Sequence, residues 1–314
     1  MAEKMATRES YGLALAALGA ENRDIVVLDA DLSKSTKTVE FAKRFPDRFF
    51  NMGIAEQNLI GTAAGLAAAG KIPFASTFAV FATGRAFEQI RNSVAYPKLN
   101  VKIAATHAGV TVGEDGASHQ AIADVAIMRA LPNMTVLVPA DAEETRQVVR
   151  AAVEYHGPVY IRMGRLDVPI LFGADYRFAI GKANVLQEGK DVAIMANGTM
   201  VAAALEAATE LSVRGIKATV VNVASIKPLD KVTIVRVAQA TGAVVAAEEH
   251  SVIGGLGSAV TEVLSETSPT PVVRVGMPDT FGESGRPLEL MEKYGLTKQG
   301  ILQAVEQALA LKKA

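Results

Sequence analysis

Short, β-branched, almost wholly apolar runs alternate with longer stretches of helical period along the entire chain, and that alternation leaves few folds open. In the first half the strand candidates are 25–29 (IVVLD), 71–76, 101–106 (VKIAAT), 135–139 (TVLVP) and 158–162 (PVYIR). Helical patterns fall between them at 7–20, 55–70, 85–95, 120–130 and 142–155. A second series has strands at 191–196 (DVAIMA), 217–223 (KATVVNV), 242–247 (GAVVAA) and 271–275, with helices at 200–214, 229–240, 256–266 and 297–312. Runs that are apolar throughout, rather than alternating, suit parallel strands covered on both faces. The sequence therefore predicts an α/β protein of two doubly wound, mostly parallel-sheet domains. Gly164, Pro169, Gly173, Gly181 and Gly189 crowd a stretch without helical period. That places a linker at 166–189, between a domain at 1–165 and another at 190–314.

Composition narrows the function. The 32 Lys and Arg against 33 Asp and Glu leave a net charge of −1, without the basic footprint of a nucleic-acid binder. The absence of cysteine excludes disulfides, thiolate metal sites and thiol nucleophiles together. The start, MAEKMATRES, lacks the apolar core of a secretory signal. The longest uncharged runs, 57–70 and 192–205, reach 14 residues, too short to span a bilayer as helices. A soluble, cytoplasmic protein without membrane or nucleic-acid partners is expected.

Two glycine patterns fail on inspection. GLAAAGK (65–71) matches the opening of a phosphate-binding loop, but Ile72 stands where Ser or Thr should follow, and a helix rather than a strand precedes it. Gly70 reads instead as the left-handed residue ending that helix. GGLGSAV (254–260) follows a strand, yet Val260 occupies the third glycine position and Glu248, Glu249 and His250 intervene. A tight turn into a packed helix is the better reading than a dinucleotide site. Neither HExxH nor GxSxG occurs.

Four histidines exist, and two of them, His107 and His119, bracket THAGVTVGEDGASHQ (106–120) between a strand and a helix. Ligands of open parallel sheets bind at that carboxyl edge. Two imidazoles, Glu114, Asp115 and Ser118 among flexible glycines suit gripping hydroxyls and moving protons. The plainer reading is a polar turn in which Ser118 or Asp115 caps the next helix. Glu56 opens an otherwise uncharged helical stretch, either as a dipole partner or, if dried by packing, as a proton-holding acid. Phe78, Phe81 and Phe87 are either core or a stacking platform for a flat ring. The small-residue run GTAAGLAAAG (61–70) suits close packing against its own sheet or against another subunit.

Taken together, GIAEQN (53–58), STFAVF (76–81), THAGVTVGEDGASHQ (106–120) and EEHSVIGGLGSA (248–259) resemble the transketolase family of thiamine diphosphate enzymes. The likeness covers the pyrimidine-binding and C-terminal domains of a full-length member, without the diphosphate-binding domain and its GDG…N magnesium motif. The resemblance implies the C-terminal subunit of a split transketolase, moving a two-carbon ketol unit between sugar phosphates of the pentose phosphate pathway. It implies thiamine diphosphate, with Mg²⁺ bound mainly by an N-terminal partner subunit and no metal ligand in this chain. It also implies an α2β2 heterotetramer, with 190–314 organising the dimer.

Residue by residue, Glu56 would bond a pyrimidine ring nitrogen and favour the imino tautomer that deprotonates the thiazolium carbon. Phe78 and Phe81 match aromatics of the pyrimidine pocket, with Phe81 stacking on the ring, and Asp31 matches an aspartate beside the cofactor. His119 and Asp115 match residues binding sugar hydroxyls, and His107 one deeper along the channel. Arg8, Ser35 and Arg165 match a phosphate grip, with Arg162 competing for Arg165's part. Many relatives carry a further aromatic three residues beyond Phe81, where this chain has Gly84 and Arg85 could intrude. His250 reads as structural and His156 as a surface residue. A 2-oxo-acid dehydrogenase beta subunit, a 1-deoxyxylulose-5-phosphate synthase-like enzyme and a silent scaffold subunit are the competing readings.

Overall fold

The computed structural model describes residues 3–313. Its strands are β1 (Lys4–Ala6), β2 (Ile25–Asp29), β3 (Phe49–Asn51), β4 (Ile72–Phe78), β5 (Lys102–Thr106), β6 (Thr135–Leu137) and β7 (Val159–Arg162). There follow β8 (Asp167–Pro169), β9 (Asn184–Gln187), β10 (Val192–Ala196), β11 (Ala218–Asn222), β12 (Ser225–Lys227), β13 (Val244–Ser251) and β14 (Val272–Met277). The first sheet has the order β12-β6-β7-β5-β4-β2-β3 and is parallel except for β12. The second, β14-β13-β10-β11-β9, is parallel except for β9. The α/β class and the two parallel-dominated sheets agree with the sequence reading.

The wholly apolar strands work as that reading requires, feeding both faces. Ile25 and Val27 of β2 enter a core shared with Tyr11, Leu15 and Leu18 of the helix Thr7–Glu21. Val26 and Leu28, pointing the other way, meet Leu59 and Ile60 of the helix Glu56–Ala68. The same division holds in β10, where Val192 and Ile194 pack with Val201 and Ile301. Ala193 and Met195 face the layer that holds Val260 and Leu264. Each such fully buried Leu or Ile contributes about 1.5–3 kcal/mol.

The two sheets are interlocked. The core holding Val26 and Leu28 continues without a break to Ala193, Met195, Val221 and Leu256. Strand β12, from the second half, pairs antiparallel with β6 on the edge of the first sheet. The stretch 166–189 carries β8, which pairs antiparallel with β1, and β9, which extends the second sheet. Gly70 has φ +87° and ends the helix Glu56–Ala68, as its sequence position suggested. Among the described residues no helix is long and apolar enough to cross a membrane.

Candidate active site

The parallel strands of the first sheet deliver their following residues to one edge. Beyond β2 lie Asp31 and Ser35, beyond β3 Glu56, beyond β4 Phe81 and beyond β5 the loop 106–120; Arg165 follows β7. Ligands of open parallel sheets bind at this edge, where side chains leave the pleat and the backbone is free to curl.

Glu56 is the first residue of its helix and 4% exposed, although its neighbours Gln57 and Asn58 face outward. Among the described residues its carboxylate is bonded by Arg85 alone, whose Nη1 donates to Oε1 at 3.0 Å. The same guanidinium lies 4.1 Å from the Phe81 ring centroid. Arg85 thus covers both the acid and the ring.

Phe81 is half-buried and meets His119 edge-on at 5.2 Å. Phe78 is buried deeper, stacked 3.8 Å from the His107 ring. The aromatics and both imidazoles therefore form one continuous surface. His107 adopts φ +57°, and its Nδ1 lies 2.9 Å from Thr106 Oγ1. Burial, then the charges of Arg8, Arg165 and His119, push its pKa down to about 3, so it is a neutral imidazole at pH 7. Ser118 Oγ lies 2.9 Å from His119 Nδ1. Neither Ser118 nor Asp115 caps the next helix, which begins only at Asp124 with Ala123 as its N-cap.

A cleft of about 280 Å³ beside the loop 106–120 is lined by Arg8, Thr111, Glu114, Arg165, Asp167 and Pro287, among others. Arg8 donates from Nη1 to the Ser35 carbonyl at 2.8 Å, and among the described residues its buried Nε has no partner. Burial and the nearby Arg165 charge lower the Arg8 pKa. Two guanidiniums share this cleft, although Arg165 is partly neutralised by Glu114 at 3.6 Å and Asp115 at 3.8 Å. Ser35 enters through its carbonyl. Asp31 stands exposed at φ +64°, bonded by Asn51 Nδ2 at 2.8 Å, while its neighbour Asp29 is buried and spent on Leu32, Thr36 and Thr38.

Arg162 is withdrawn from the contest with Arg165. It lies buried, donating to Asp124 at 2.8 Å and to the Glu249 carbonyl at 2.8 Å. Burial works against both charges of the pair, but each holds the other ionised: the Asp124 pKa falls and that of Arg162 rises. His250 is buried, its Nε2 accepting from the Ala126 N–H at 3.3 Å, and His156 is exposed.

Sequence reasoning ended the strand before Glu248, whereas β13 runs on to Ser251 and carries Glu248 and Glu249 inward. Both are satisfied by partners outside the strand, those of Glu249 distant in sequence, which is why a charged pair reads as a strand end. Glu248 accepts from Leu256 N at 2.7 Å and Gly257 N at 2.9 Å. The N–H groups that a dinucleotide phosphate would need at GGLGSAV are thereby taken.

Comparisons with known proteins show the family. Family models for the transketolase pyrimidine binding domain and the transketolase C-terminal domain match residues 3–170 and 181–301. The chain belongs to the transketolase family. A solved structure described as "Split gene transketolase, inactive beta4 tetramer" superposes with a TM-score of 0.93 at 66% identity, covering 98% of this chain and 99% of that one. A Methanocaldococcus jannaschii protein bearing the name of a transketolase C-terminal section is 52% identical, over 96% of each chain. The 6-deoxy-6-sulfo-D-fructose transketolase subunit SqwH of a Clostridium species is 45% identical, over 96% of this chain and 93% of its own.

Proposed function

We propose that this chain is the C-terminal subunit of a thiamine diphosphate-dependent transketolase that moves a two-carbon ketol unit between anionic sugars, sugar phosphates foremost. The observation that carries the reading is a nearly dry carboxylate, Glu56, joined through Arg85 to a half-buried aromatic ring, Phe81, next to a two-imidazole loop and a two-arginine cleft.

The pair Glu56 and Phe81 fits the pyrimidine half of the cofactor: an acid to bond a ring nitrogen and a flat apolar surface to stack on. When bound, that cofactor supplies a carbon nucleophile able to attack a ketose carbonyl. Glu56 would hold the ring-nitrogen proton, and a site dried by the ring itself would favour this exchange. His119 and Asp115 would bond sugar hydroxyls near the reacting carbon. His107, neutral at working pH, would donate or accept a hydrogen bond without adding charge. Arg8 and Arg165 would grip the terminal anion as guanidinium forks. A relative named for a sulfonated fructose is consistent with a cleft that recognises a terminal anion rather than phosphate alone.

Among the described residues no group of three or more His, Cys, Asp or Glu is placed to hold a metal ion. We assign Mg²⁺ and the diphosphate to an N-terminal partner subunit. The helix Glu56–Ala68 turns Gly61, Gly65 and Ala68 outward, and Ile54 and Tyr96 are 78% and 84% exposed. That face suits coverage by other chains in an α2β2 assembly. The similar chain solved as a tetramer described as inactive supports dependence on a partner.

The test is reconstitution with a partner carrying GDG and a distant Asn. Xylulose 5-phosphate and ribose 5-phosphate should be consumed by the complex and untouched by this chain alone. Turnover of pyruvate with a lipoyl acceptor would reassign the protein to the 2-oxo-acid dehydrogenases. Pyruvate with glyceraldehyde 3-phosphate would reassign it to the deoxyxylulose-phosphate synthases.

A further inference from the structure

The loop 106–120 carries His107, Asp115 and His119, yet its conformation is set from the second unit. Glu249 Oε1 accepts the Thr111 N–H at 2.8 Å, across 138 residues of sequence, and Oε2 accepts from the Thr199 hydroxyl at 3.2 Å. A Cβ at Gly109, which has φ +81°, would lie 2.1 Å from the same carboxylate. The backbone must therefore pass against Glu249 with no side chain between them. Gln120 Nε2 closes the other end, donating to Val110 O at 3.3 Å and to Glu283 O at 3.0 Å.

Neighbouring strand positions make the contrast. Side chains alternate along β13. Glu248 turns to its own unit's helix, while Glu249 turns to a loop of the other unit, two residues from His107 at Gly109 and four at Thr111. Thr111 in turn lines the cleft with Arg8 and Arg165. Arg162 braces the arrangement from behind, holding the Glu249 carbonyl and that of Ala121.

We propose that Glu249 is a positioning residue for the sugar site: through Thr111 and Gly109 it fixes the loop that presents His107, Asp115 and His119. The second unit then completes the substrate site rather than organising subunits alone. This rests on the functional reading above, and two readouts keep the two claims separable.

In the isolated full chain, Glu249→Ala should raise hydrogen exchange across 109–113 about tenfold or more while β2 and β4 stay protected. In the reconstituted complex with xylulose 5-phosphate and ribose 5-phosphate, Glu249→Ala should cut kcat/KM about 100-fold, with a raised sugar-phosphate KM. Affinity for thiamine diphosphate should be unchanged. Glu249→Gln should restore most of both, because its amide oxygen still accepts from Thr111 and its NH₂ can donate to Thr199. Should Glu249→Ala fail to fold, Thr199→Val removes one bond and should show the same changes in smaller measure. Unchanged exchange at 109–113 overturns the proposal. So does faster exchange with unaltered kcat and KM. A wild-type complex inert to sugar phosphates would instead overturn the functional reading and leave the exchange arm to decide on Glu249.

Discussion

Glu56 and Glu248 both meet the first turn of a helix, and their surroundings treat them in opposite ways. Both oxygens of Glu248 are consumed by backbone N–H groups at 2.7 and 2.9 Å. Gly255 lies so close that a Cβ there would sit 2.1 Å from the carboxylate. Glu56 is almost as dry, yet its partner is the half-exposed guanidinium of Arg85. One acid is sealed by its own fold; the other is left with a partner that can leave. A buried carboxylate with a removable partner is what a group kept for a ligand would look like, and that contrast is why the proposed site is placed at Glu56 and not at Glu248.

The sharpest break of that contrast is Glu56→Gln. The amide keeps the shape but cannot hold or release the ring-nitrogen proton, so kcat of the reconstituted complex should fall by at least about 100-fold. The thermal unfolding midpoint should not move. Loss of fold instead of turnover would place Glu56 with Glu248 as a structural acid. The converse variant, Glu248→Ala, strands two buried N–H groups and should cost about 2–3 kcal/mol in urea unfolding. The folded fraction should keep its turnover per site.

The pH response sharpens the picture on the loop side. His107 has a folded pKa of about 3 against 6.5 when unfolded. The unfolded chain therefore binds more protons between those values, and stability falls as pH drops below 6.5. Between pH 6.5 and 5 this amounts to about 2 kcal/mol. Glu144, buried and pushed up to about 7, works the other way, its contribution full below pH 4.5 and lost as pH rises through 7. Subtracting a His107→Asn profile from the wild-type one isolates the histidine, and Asn tolerates the left-handed backbone there. A difference that does not change between pH 6.5 and 5 would show that His107 is not buried in solution.

How much of this was legible beforehand follows from range. Strand β2 falls at the residues its apolar run marked, because burial on both faces writes itself into local composition. Strand β12 left no such mark: three residues carry no period, and its partner β6 lies about ninety residues earlier. Within the proposed site, Glu56 stood out as the acid opening an uncharged helical stretch, and Phe81, His107 and His119 as aromatic or polar groups past strand ends. Arg8 and Arg165 drew notice only through the family likeness. Glu249 was legible only as a charge that seemed to end a strand, since its bonds to Thr111 and Thr199 are made by tertiary packing.

Arg85 gives the smallest expected effect and the most specific one. Its guanidinium bonds Glu56 and covers Phe81, the two groups assigned to the pyrimidine ring. It is 52% exposed, so the ion pair is screened and contributes within about 1 kcal/mol of stability. Removing it should leave the unfolding midpoint nearly unchanged while clearing the face that the ring must reach. Arg85→Ala is therefore expected to tighten thiamine diphosphate binding to the reconstituted complex by roughly threefold, the equivalent of about 0.7 kcal/mol. Calorimetric titration measures it directly. Weaker binding would mean that Arg85 stays in place and supports the cofactor from its far side; Glu56 would then be as firmly engaged as Glu248, and the contrast between the two acids would fail.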